Sequence, residues 1–276
     1  MLESLPTTPL VAAVAALAWV PGLVPDPFVV PQAESPVPSW VTPEDCSRTD
    51  RLAELVEDEP MDVHRVLACS RHRPGDVAHL HTAYRAAQAT LADGDPDTAV
   101  DVLAWTGGLR QGSLVEQMVA LSISGYVLDL LEHADPAAWD HPERLGEALA
   151  LQAPLTLNGE RYAVRTLGSA ALEAGDLRSL AFAPALRWET DRRARTLSQA
   201  LAAPADERLG RLDAALESPA GWARLGPAAL LFQGGRAAWW SRTTGGFLRS
   251  AVASDLAQRA RGRALLARHE RQGPDL

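Results

Sequence analysis

The chain has 276 residues, 47% hydrophobic and 22% charged, which suits a globular protein long enough to bury a core. Its formal net charge is −9, and all 26 basic residues are arginine. Residues 44–186 carry 11 arginines against 23 acids, so this stretch lacks the concentrated positive face that phosphate contacts need, and nucleic-acid binding is not expected.

Residues 187–276 reverse the balance, with 15 arginines against 9 acids. The simplest reading is that the two parts complement each other within one fold, although a basic third can also meet an anionic surface. Alanine and leucine dominate, and Val-Ile-Thr runs of the strand type are nearly absent. That composition predicts an all-α chain.

At the N-terminus "PLVAAVAALAWVPGLV" (9–24) is uncharged, and no basic residue precedes Arg48. The run is shorter than the ~20 residues that span a bilayer, and Pro21 interrupts it. Small residues at Ala16 and Ala18 fit a cleavage site, while Glu3 stands where a signal peptide carries a basic residue. Residues 1–24 are read as a signal- or anchor-like segment. Seven prolines between Pro21 and Pro43 rule out a helix or central strand, so 25–43 is read as a semi-rigid linker. An apolar segment, a proline spacer and a body at 44–276 suggest the cell envelope, on the periplasmic side of the inner membrane. A cytoplasmic location is the alternative.

The body is punctuated by helix signals. Asp76 precedes apolar positions at Val77, Leu80, Tyr84, Ala87 and Leu91, three or four apart, which predicts one buried face. Gly94 ends that helix, and Asp95-Pro96 starts the next as N-cap and first-turn proline. "SLVE" at Ser113–Glu116 is a capping box opening the most apolar helix, "LVEQMVALSISGYVLDLLEH". Asp135-Pro136 and His141-Pro142 restart helices, and Gly175 closes one beginning near Leu155. Further helices are expected from about Pro184 to Leu201, from Asp206 to Glu217, and from about Gly246 to Arg271.

"ATLADGD" (89–95) and "AALEAGD" (170–176) echo each other, as helix ends do in helical-hairpin arrays. The expected architecture is such an array, loosely tetratricopeptide-like, or an irregular helical bundle. The stretch from "LHTAYRAAQATLADGDPDTAVDVL" to "SLVEQMVALSISGYVLDLLE", with "LNGERYAVRTL" and "RALLARHERQGPDL", is similar to a recurrent arrangement in uncharacterised bacterial envelope proteins. The resemblance covers roughly residues 64–276 and rests on apolar positions. It implies an envelope location and brings no activity with it.

Catalytic signatures are sparse. "GGLRQGS" (107–113) has G-x4-G spacing, but Ser113 stands where a phosphate loop has lysine, and a helix precedes it, so it reads as a turn between helices. Glu143 and Glu147 read as a solvated helix face. Trp239-Trp240, flanked by Arg236 and Arg242, forms a candidate interaction surface beside the plainer reading of core packing. The last helix, with Leu256, Leu266 and arginines at 259, 263 and 268, either packs its leucines or lies on anionic lipid.

The chain has two cysteines, Cys46 and Cys69, with 22 residues between them. In an oxidising compartment they are expected to pair, a bridge of about 3 kcal/mol by loop closure. Cys69 also lies in "HRVLACSRHRPGDVAHLH" (64–81) with His64, His72, His79 and His81. A helix brings only Cys69 and His72 onto one face, Pro74-Gly75 intervenes, and His79 and His81 point roughly 200° apart. Three or four ligands do not converge there unaided. The reading is a non-enzymatic, envelope-anchored helical scaffold with a protein partner and no cofactor. The alternative is a metal-binding protein or metal-dependent enzyme using residues 64–81.

Overall fold

The computed structural model describes residues 37–41, 80–159, 161, 194–217 and 227–272, with the backbone alone for 82, 136, 227–244 and 272. Among the described residues every regular element is helical, so the fold is all-α.

Helix α1 spans Leu80–Thr90 and tightens into a 3-10 turn at Leu91–Asp93. Gly94 follows in the left-handed region at φ 73°, which glycine adopts without steric cost. Helix α2, Pro96–Leu109, starts as its sequence predicts: the Asp95 carboxylate accepts from the Thr98 amide at 2.8 Å, and Pro96 occupies the first turn. Helix α3, Leu114–His133, opens with the full capping box. Ser113 Oγ accepts from the Glu116 amide at 3.5 Å, and Glu116 accepts in return from the Ser113 amide.

A 3-10 turn at Pro136–Ala138 leads to α4, Arg144–Ala150. Its approach is tied to the start of α2, where the Asp97 carboxylate accepts from the amides of Asp140 at 2.8 Å and His141 at 3.0 Å. Residues 194–201 are helical, α5 covers Ala205–Glu217, and α6 covers Pro227–Gln272.

Two clusters of apolar side chains form the core. The first gathers Leu80, Ala87, Leu103, Ile123, Val127 and Leu145 from α1 to α4. The second joins Leu114 and Leu121 of α3 to Leu201, Leu212, Leu248 and Val252. Helix α3 belongs to both, which explains why its sequence is apolar almost all round. By length and composition it is able to cross a membrane, and 56% of its apolar window is buried inside this fold.

Two expectations change. The last helix starts at Pro227, well before Gly246, and its 46 residues extend about 69 Å at 1.5 Å per residue. The glycine pairs at 234–235 and 245–246 are carried inside it. At Gly245 an added Cβ would come within 3.2 Å of Leu216 Cδ2, so the small residue lets α5 approach. The glycines of 107–113 also have a packing reason. Gly107 lies in the last turns of α2, where a Cβ would meet the Leu151 carbonyl oxygen at 2.9 Å.

The proline-rich stretch is docked on the body where it is described. Residues 37–41 form a turn, with the Val41 amide donating to the Pro38 carbonyl at 3.1 Å. Val41 is buried in the first core cluster, with Val37 and Trp40 packed against it. Trp40 Nε1 donates to Asp101 Oδ1 at 2.9 Å, and both polar groups of Ser39 donate to Glu147.

Candidate interaction surface

Helices α3 and α6 pack side by side. Gln258 meets Leu121, Arg261 meets Asp129 and Glu132, and Arg268 meets the Glu132 carbonyl. The pairings advance together along both helices, so the two run in the same direction. Small residues on the facing surfaces, Gly125 on α3 and Ala251 and Ser254 on α6, leave an open groove of about 410 Å³ between them.

Met118, Leu121 and Tyr126 give the groove apolar walls, and Ser122, Ser250 and Ser254 line it with hydroxyls. Tyr126 is 45% exposed at the mouth, and Phe247 of α6 is 45% exposed as well. The Gln258 amide spans the floor: Nε2 donates to the Leu121 carbonyl at 2.9 Å and to Ser254 Oγ at 3.3 Å, while Oε1 is buried without a partner. Asp129, which lines the groove, accepts from Arg261, and Arg261 also donates to Glu132 Oε2 at 2.7 Å. That hydrogen bond holds the Glu132 carboxyl below the usual carboxylate range.

Beneath the packed helices lies a buried ionic cluster. Asp255 of α6 accepts from Arg110 at 2.6 Å and from Arg259 at 3.1 Å, and Arg208 of α5 stands 3.8 Å away. Burial lowers the Arg110 pKa, opposed by the charge and hydrogen bond of Asp255. Arg259 also donates to the Gln152 carbonyl at 2.6 Å, binding α6 to the segment after α4.

Most of the residues singled out by sequence fall outside the described side chains. Arg236, Trp239, Trp240 and Arg242 fall on the backbone of α6, and their side chains lie outside those described. Cys46, Cys69, His64, His72 and His79 lie outside the described residues, and His81 is exposed on α1. Among the described residues no three His, Cys, Asp or Glu side chains form a group suited to a metal ion. Glu143 and Glu147 do not act together: one faces His141 at 3.3 Å, the other holds Ser39.

Residue type alone does not reveal the groove, because its walls are ordinary side chains. A signal existed in the small residues at Ser122, Gly125, Ser250, Ala251 and Ser254, spaced to clear one face of each helix. Fold and surface together define an all-α protein with an open interhelical groove. No protein-family model, curated protein or solved structure matches the chain.

Proposed function

We propose that this chain is a non-enzymatic, envelope-anchored helical scaffold that receives a protein partner in the groove between α3 and α6. The observation carrying this reading is the groove itself. It is open, mixed in polarity, and presents Tyr126 at its mouth, the residue type that supplies large contact area with a polar tip. The envelope part rests on the sequence layout, an apolar segment at 9–24 followed by the proline-rich stretch.

A photo-crosslinking residue in place of Tyr126, in cells, tests the partner. A single crosslinked protein, lost when Ser254→Arg fills the groove, is the expected result. Crosslinks unaffected by Ser254→Arg overturn it. Fractionation of the native host tests the location, and recovery in the soluble cytoplasmic fraction alone overturns the envelope assignment.

A further inference from the structure

The turn at residues 37–41 has the properties of a bound peptide. Its shape is internal, because the Val41 amide closes onto the Pro38 carbonyl at 3.1 Å. Its contacts are with residues far along the chain. The Ser39 amide donates to Glu147 Oε1 at 2.5 Å and the Ser39 hydroxyl to Oε2 at 2.5 Å, so one carboxylate grips two donors of one residue. The Trp40 indole donates to Asp101 Oδ1 at 2.9 Å, and the Arg144 guanidinium lies 5.5 Å from its ring centroid. Val41 inserts its side chain into the core beside them, at 7% exposure.

Each recognition element sits on a rigid helix, Asp101 on α2 and Arg144 and Glu147 on α4. Each complementary group sits within three consecutive residues of the strap. A short self-shaped motif on a preformed helical face is transferable, since neither half depends on the covalent path between them.

We propose that Asp101, Arg144 and Glu147 form a recognition site for a Ser-Trp-Val segment, filled in cis by residues 39–41 and in trans by the same segment of a second copy. The cis strap holds an effective concentration on the order of millimolar, so exchange between copies occurs when the strap is displaced. This site is separate from the α3–α6 groove and stands independently of its partner.

The test uses the full chain carrying Trp40→Ala, which removes the indole anchor and loosens the strap's hold on the site, and a labelled peptide of residues 34–43. Fluorescence anisotropy should show saturable binding at least tenfold tighter than to the wild type, whose site is filled. Glu147→Ala added to Trp40→Ala should weaken it at least tenfold, by loss of both Ser39 bonds. Equal binding by wild type and Trp40→Ala, or none by a folded Trp40→Ala chain, overturns the proposal. Should circular dichroism show Trp40→Ala unfolded, Trp40→Phe keeps the packing and removes the indole donor, with the same outcomes applied. For the second copy, a Trp40→Ala chain is mixed with a Glu147→Ala chain, one with a live site and the other with a live strap. A mixed dimer by native mass spectrometry, absent from either chain alone, is expected; its absence overturns exchange in trans.

Discussion

Asp255 and Arg110 stand 145 residues apart in sequence and meet at 2.6 Å, with side chains 1% and 2% exposed. The pair joins the turn after α2 to the middle of α6 in a place water does not reach. Asp255 is also the anion shared by Arg259 and Arg208. Removing it leaves buried cationic charge without its counter-ion. Asp255→Asn is expected to cost about 3–5 kcal/mol of folding stability. Urea unfolding measures it, and a loss under about 1 kcal/mol contradicts the role assigned to the cluster.

Gly107 supports a second prediction. A methyl group there would sit 2.9 Å from the Leu151 carbonyl oxygen and 3.0 Å from Leu151 Cβ. Backbone must shift to admit it, so Gly107→Ala should destabilise by about 1–3 kcal/mol despite alanine's better helix propensity. Gly210→Ala is the control. Nothing lies within 4 Å of a Cβ at that position, and helix propensity should raise the melting temperature there.

The capping box of α3 is measurable by itself. Ser113→Ala removes the acceptor of the Glu116 amide and leaves Glu116, fully buried, with the box half made. The expected cost is about 1 kcal/mol or somewhat more. Ser113→Asp, which keeps an acceptor at the N-cap, should restore most of it in thermal melts.

His269 supplies a pH dependence. Its ring packs against buried Trp139 at a centroid distance of 4.2 Å, tilted by 44°. Burial first, and then the charge of Arg268, lowers its pKa from the ordinary 6.5. The unfolded chain therefore takes up this proton at higher pH than the folded one. The stability contributed is whole above the unfolded value and is lost as the pH falls from there through the folded value. His269→Phe keeps the ring contact and should flatten the stability profile below neutrality. An NMR titration placing the His269 pKa above 6.5 would contradict the sign.

Local signals in the sequence located element starts well. Asp95-Pro96 and Ser113–Glu116 became the caps of α2 and α3 because a cap is satisfied within one turn and needs no distant partner. The start of α6 was misplaced for the complementary reason. Glycine pairs weaken a helix locally, and at Gly245 the close packing of Leu216 from α5 offsets that weakness. Trp40 read as part of a linker because its prolines forbid a helix, and nothing local announces Asp101 or Glu147 as its partners. Of the histidines in 64–81, only His81 lies among the described residues.

What the sequence determined by itself was the all-α class, the caps that begin α2 and α3, and the turn at Gly94. These depend on periodicity and on hydrogen bonds closed within a few residues. Only tertiary structure decided that α3 serves two cores, that Asp255 gathers arginines from α5, α6 and the turn after α2, and that an open groove runs between α3 and α6. Those features depend on side chains from separate elements sharing one place, which packing settles and local pattern does not encode.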